Sequence, residues 1–271
     1  MIDSQYQKLP TPSEGMEHRY GPNVRILSYP YPMSLLERLC SPDVTQPAVN
    51  HLMGQLYNFL LNEVSNVVLS KTVVDSPTRM HAFTDSGVYR GQRIDSSQRV
   101  VVVDVARAGI LPSHHFYQGL HGVIDAAGLR QDHVVASRTT DQSGAVTGVT
   151  LDGSKIGGPI EDATVIFPDP MAATGSSIAG VLNHYLQMSG GPPRSLVAVH
   201  LIVTPEYLRR MTAEFPNLHI FAIRLDRGLS SPDTLSTIPG TSWDQEIGLT
   251  DQQYIVPGAG GVGEVLNNAW I

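Results

Sequence analysis

Between Met33 and Leu69 apolar residues recur at helical spacing, Leu35, Leu36 and Leu39 first, then Leu52, Leu56, Phe59, Leu60 and Val64. A three-to-four-residue repeat is the mark of a helix with one buried stripe, and Pro42 and Pro47 divide the stretch into two helices. From residue 99 the pattern changes. The valine-rich run RVVVVDVARAGILP (99–112) is unbroken by polar alternation, which predicts a strand covered on both faces. HVVAS (133–137), TVIFP (164–168), SLVAVHLIV (195–203) and HIFAIRL (219–225) predict further buried strands, with helical patterns between most of them, notably over 176–188 and 205–214. Alternating buried strands and helices predict an α/β fold, a parallel sheet flanked by helices. Ligands of such sheets bind beyond the carboxyl ends of the strands.

Three stretches do not fit a bare sheet. Residues 1–25 are polar and broken by Pro10, Pro12 and Pro22, as expected of an extended arm lying on the body or on a partner. Residues 141–162 are long, polar and glycine-rich, and unstructured stretches of that length in a compact domain are usually functional or mobile. Residues 230–248 form another such stretch, just before YIVPGAGGVGEVL.

Composition narrows the function classes. With 271 residues, 41% hydrophobic and 16% charged, the chain suits one globular domain, expected over 29–271 behind an extension at 1–28. A formal net charge of -7 argues against sequence-independent binding to nucleic acid. The lone Cys40 cannot form an internal disulfide, and His114-His115 has no further ligands at metal spacing. The N-terminus lacks the basic start and apolar core of a signal peptide, and no apolar run approaches the roughly 18 residues of a membrane span. The expectation is a soluble, cytoplasmic protein without a membrane partner.

Candidate chemistry centres on VIFPDPMAATGSSIAG (165–180). It reads as a strand, a turn of small and hydroxyl residues, and a helix opening near Ser176 and Ser177. Backbone N–H groups and hydroxyls gathered at a positive helix end make an anion site; an ordinary strand-to-helix connection with a Ser N-cap reads equally well. Gly258, Gly260 and Gly263 spell GxGxxG, but only 8 residues follow Gly263, too few for a dinucleotide-binding βαβ unit. Arg107 and Arg138 fall at predicted strand ends. Either alone suits a structural salt bridge, while both beside an anion turn suit a ligand with separated phosphates.

These residues resemble uracil phosphoribosyltransferases, a branch of the type I phosphoribosyltransferases, from about Tyr29 to the C-terminus. The resemblance rests on RAG (107–109), the Arg138 strand end, VIFPDPMAATGSS, DRGL (226–229) and YIVPGAGG, with Asp169-Pro170 pointing to the uracil branch. It implies a type I phosphoribosyltransferase-like sheet with a base-binding hood near 226–271 and a flexible lid over 141–162. It also implies transfer from 5-phosphoribosyl pyrophosphate (PRPP) to uracil, giving UMP and pyrophosphate in pyrimidine salvage. Ala172, Ala173, Thr174, Gly175, Ser176 and Ser177 would cradle the 5-phosphate, alongside Pro170 and Met171. Asp169 would meet the ribose hydroxyls, and Arg107 and Arg138 the PRPP phosphates, Asp169 and Arg107 acting in catalysis. Backbone groups at Ile255, Gly260, Gly261 and Val262 would read uracil. Mg²⁺ would bind through pyrophosphate and water rather than a protein metal site. The family further implies a homodimer or larger homo-oligomer.

The chain departs from the family pattern in the hood. Gly261 stands where the base loop usually carries Asp, Glu264-Val265 replace Asp-Arg, and Gln253 stands where glycine is usual. Glu264, Asp244 or Glu246 are the candidates for a substitute carboxylate. The alternatives to a uracil enzyme are a PRPP-binding regulatory protein with little turnover and a phosphoribosyltransferase for a different base.

Overall fold

A computed structural model describes residues 3–9, 15–140 and 146–269. The first elements are β1 (Val24–Ile26), α1 (Pro30–Leu39), α2 (Ala48–Val68), the hairpin β2 (Lys71–Pro77) and β3 (Val88–Ile94), β4 (Val100–Ala106) and α3 (Ile110–Leu120). They are followed by β5 (Leu129–Thr140), β6 (Val146–Lys155), β7 (Thr164–Pro168), β8 (Met171–Ala172), α4 (Ser176–Ser189), β9 (Ser195–Val203) and α5 (Pro205–Glu214). Last come β10 (Leu218–Leu225), α6 (Pro232–Leu235) and α7 (Val262–Asn267). The main sheet has the order β1-β10-β9-β7-β4-β5-β6, with β8 beside β9. Every pair is parallel except β5 with β6.

The unbroken apolar runs occupy the centre of this sheet, where both faces are covered. In β4, Val100 and Val102 enter a cluster with Leu52, Leu56 and Phe116 from α2 and α3, whereas Val101, Val103 and Val105 enter another with Ile178, Leu182 and Tyr207 from α4 and α5. The break predicted at Pro42 and Pro47 separates α1 from α2. α5 starts where its sequence says it should: the Thr204 hydroxyl accepts from Tyr207 N and Pro205 occupies the first turn.

One expectation is corrected. Residues 146–155 are not loop: they form β6, the antiparallel edge strand, while residues 141–145 of the expected lid lie outside the described residues. Polar alternation in a glycine-rich stretch hid a strand that needs burial on one face only. Within the N-terminal segment, β1 at 24–26 pairs with β10 in register Val24 to Ile220. The hairpin β2–β3 was not foreseen. Its first strand is exposed or half-exposed throughout, so no buried face imprinted a pattern on it. The arm lies partly on this hairpin: Tyr6 meets Tyr89 edge-on at 6.0 Å, and Gln7 Nε2 donates to the Arg90 carbonyl at 3.1 Å.

Candidate active site

Beyond Pro168 the chain does not leave the sheet. Asp169 N donates to the Val199 carbonyl at 2.9 Å, the Pro170 carbonyl accepts from Leu201 and Ile202, and β8 then pairs with β9. The turn that follows is closed by Thr174, whose hydroxyl accepts from Ser176 N at 3.2 Å. Gly175 precedes α4 with φ 77° and ψ -5°, and no side chain caps the helix. The Ser N-cap reading is therefore replaced by a left-handed glycine, which lets the first α4 amides open onto the turn. A Cβ at Gly175 would also sit 3.3 Å from Tyr207 Cδ2 and Met211 Sδ. A small hollow is lined by Asp169, residues 171–175, Ser177 and Ile178 of this stretch together with His200, Tyr207 and Gln253. Helix amides, hydroxyls and a positive helix end beside one hollow suit an anion.

The turn is braced from behind by residues the sequence reading missed. His200, fully buried on β9, donates from Nδ1 to the Asp169 carbonyl at 2.6 Å, while Nε2 accepts from the Tyr207 hydroxyl at 2.6 Å. The carbonyl fixes this tautomer because it can only accept. Burial pushes the imidazole down to about 4, so it is neutral near pH 7. Thr204 donates to the Ala173 carbonyl at 2.6 Å. Burial first, and the Asp169 charge second, push the Tyr57 and Tyr207 hydroxyls well above the usual tyrosine range. The available signal was His200 itself, a polar residue inside an apolar strand run.

The second predicted element sits beside this turn. At Gly109 a Cβ would come within 3.0 Å of the Pro168 carbonyl, so only glycine lets residues 106–109 approach the end of β7. Arg107, next to it, is exposed, and its Nη2 lies 3.8 Å from Glu264 Oε1. For Arg138 the backbone alone is described: it lies on β5 opposite Val149, two residues before the strand ends, and its side chain falls outside the described residues.

The hood joins from the other side. Asp226 at the end of β10 pairs with Arg224 at 2.6 Å and accepts from Gly258 N at 2.8 Å, while Arg224 also donates to the Gly258 carbonyl at 3.0 Å. Gly258 and Gly260 have φ of 64° and 67°. Ile255 pairs with Leu249 across an isolated bridge, and Val262 is buried in the α1–α3 side of the core. α7 brings Gly263 against Ala108, 3.6 Å from Ala108 Cβ to a Cβ at 263. Gly261 has φ -78°, which any residue adopts, and a Cβ there would meet Glu264 Oε2 at 2.5 Å. Glu264 thus fills the space beside Gly261. Glu246 cannot serve as a site carboxylate: it is buried, 2.8 Å from Arg227 Nη1, and accepts from Tyr20 and from Gly240 N. Gln253 is left-handed at φ 65°, the reason glycine suits that position.

Among the described residues no group of three or more His, Cys, Asp or Glu side chains is placed to hold a metal. Asp169 is the one carboxylate residue lining the hollow. A single carboxylate with ligand phosphates and water fits the way Mg²⁺ is held on phosphorylated substrates, and does not fit a protein cage.

The doubly covered parallel sheet with a strand-to-helix anion turn and a C-terminal cap is the architecture of the type I phosphoribosyltransferases. A profile of the uracil phosphoribosyltransferase family matches residues 41–242, and the chain belongs to that family. The uracil phosphoribosyltransferase of Pyrococcus furiosus is 27% identical over 249 residues, 92% of this chain and 90% of its own. That of Halobacterium salinarum is 30% identical over 178 residues, 64% of this chain and 67% of its own. The AQ2163 protein from Aquifex aeolicus shares the fold, with a TM-score of 0.65 at 21% identity over 90% of this chain and 97% of that one. The chemistry of the class, base plus PRPP to nucleotide plus pyrophosphate, is therefore this chain's chemistry. No described helix is long and apolar enough to cross a membrane.

Proposed function

We propose that the protein is a uracil phosphoribosyltransferase, forming UMP and pyrophosphate from uracil and PRPP. The observation that carries this reading is the 169–177 turn, with its left-handed Gly175, opening at the carboxyl end of a central strand of a chain belonging to this family. The named activity of its relatives supplies the base. The α4 amides and the hydroxyls of Thr174, Ser176 and Ser177 take the 5-phosphate, and Asp169 accepts from the ribose hydroxyls. Arg107 and Arg138 take the pyrophosphate. Mg²⁺, when bound, neutralises pyrophosphate charge as it leaves. The base nitrogen attacks C1 as the bond from C1 to the pyrophosphate oxygen breaks. The chain's own task is alignment, stabilisation of the departing anion and exclusion of water.

In this reading residues 226–271 act as the hood, with Ile255 and Gly260 to Val262 presenting backbone groups to uracil. The protein works as a homo-oligomer, for which the standing hairpin with exposed Val73, Met80 and Phe83 offers an apolar contact. Conversion of labelled uracil to UMP with PRPP and Mg²⁺, against a panel of other bases, tests the reading. Turnover with another base and not uracil would overturn the substrate. A second reading, a PRPP-binding protein with little turnover, is favoured by the hood, where Glu264 rather than a residue at 261 carries the carboxylate. PRPP binding by calorimetry without pyrophosphate release from any base would establish it.

A further inference from the structure

The phosphate turn has a cationic neighbour that no strand-end motif announces. Arg210 on α5 lies 34 residues from Ser176 in sequence, yet its Nη1 donates to Ser176 Oγ at 2.7 Å. Its stem crosses the turn, with Cδ 3.3 Å from where a Gly175 Cβ would stand. At its other side Nε pairs with Glu214 at 2.8 Å, and the Arg210 side chain is 41% exposed. A helix-surface arginine with an i,i+4 partner needs nothing more to be satisfied. Here it is turned toward the turn instead.

Hydrogen-bond counting shows what that contact does. Thr174 Oγ1 and Ser176 Oγ lie 3.0 Å apart and share one hydroxyl proton between them. Two hydroxyls carry two protons, and with Thr174 donating to Ser176 the proton that remains to donate outward is that of Ser176. Arginine has donors only. Arg210 therefore occupies a lone pair of Ser176 without consuming a proton, and it leaves the hydroxyl pair with a donor for a ligand rather than an acceptor.

We infer that Arg210 is a positioning residue for the terminal phosphate of a phosphoribosyl ligand, acting through the Ser176–Thr174 hydroxyl pair. The inference rests on the phosphoribosyl reading of this turn. It concerns the monoester phosphate alone and not the pyrophosphate, which the Arg107 side of the cleft would take.

The test uses ribose 5-phosphate and inorganic pyrophosphate as separate probes, by calorimetry on the full chain with thermal melts alongside. Arg210→Gln should weaken ribose 5-phosphate about fivefold while pyrophosphate binding and the melting temperature stay as in the wild type. Ser176→Ala should cost a similar factor, and the double variant no more than either alone, because the two residues act as one unit. Glu214→Gln, which keeps the Ser176 contact, should bind at least as tightly as the wild type. Unchanged ribose 5-phosphate affinity in folded Arg210→Gln overturns the inference, as do equal losses for both probes or additive losses in the double variant. If Arg210→Gln does not fold, unchanged affinity in Ser176→Ala overturns it. Wild-type protein that takes up pyrophosphate but no ribose 5-phosphate overturns the phosphoribosyl reading of the turn itself.

Discussion

The 169–177 turn and the C-terminal segment from Asp226 meet at one hollow, which Gln253 also lines, but are held by opposite chemistry. Behind the turn, His200 and Thr204 make neutral, buried hydrogen bonds to the carbonyls at 169 and 173, and the Tyr207 hydroxyl donates to His200 Nε2. The hood is fastened by buried charge, Arg227 with Glu246 and Arg224 with Asp226, whose carboxylates are 0% and 1% exposed. A neutral brace costs little desolvation and fixes backbone position directly, which suits a turn that must present amides to an anion. Buried ion pairs are expensive to form but very costly to break singly, so they fix the path of a long irregular segment instead. The difference teaches that neighbouring segments can be fixed by different means, backbone carbonyls held by neutral buried donors in one and buried ion pairs in the other.

The comparison predicts its largest effect in the hood. Glu246→Ala strands Arg227, which is 11% exposed, and should destabilise the protein by about 3–5 kcal/mol in urea unfolding. A loss below about 1 kcal/mol would show the segment to be held elsewhere.

The brace should reveal itself in pH. His200 is held at about 4, below the roughly 6.5 of an unfolded histidine. A depressed folded value means that the unfolded chain binds the extra proton first. Stability is then fully present above about 6.5 and is lost as pH falls through the folded value, by about 3 kcal/mol. His200→Gln should remove that part of the acid slope. An unchanged slope in the variant would mean the imidazole is not held neutral.

Arg107 offers a cleaner separation of binding from stability. Its side chain is 41% exposed and its ion pair with Glu264 is long at 3.8 Å, so Arg107→Ala should leave the melting temperature almost unmoved. PRPP affinity should fall about tenfold or more, since charge-assisted contacts to phosphate are the strong ones. A collapsed melting temperature with normal affinity would make it a structural residue. The smallest effect belongs to Gln253. Replacing this left-handed residue by glycine should stabilise the fold by about 1 kcal/mol, and lowered stability would show that the amide side chain holds the hood in place.

How much of this was legible depends on where the signal lives. The buried strands and the helices at 30–39, 48–68, 176–189 and 205–214 follow from periodicity, because burial on both faces of a central strand leaves no freedom for polar residues. The strand-to-helix turn at 169–177 was legible because small residues, hydroxyls and a strand-to-helix switch occur together within ten positions. β6 and the β2–β3 hairpin were not, since strands with a solvated face and little burial leave a weak pattern.

The sequence by itself determined the α/β class and the family, because these depend on local periodicity and on residues adjacent in the chain. Tertiary structure alone decided which groups stand behind them. His200 reaches Asp169 across neighbouring strands, Arg210 reaches Ser176 from the next helix, and Glu264 comes to lie between Gly261 and Arg107. Those contacts join residues remote in the chain or depend on how a helix is seated, and a hydrogen bond depends on position in space, which spacing along a sequence does not specify.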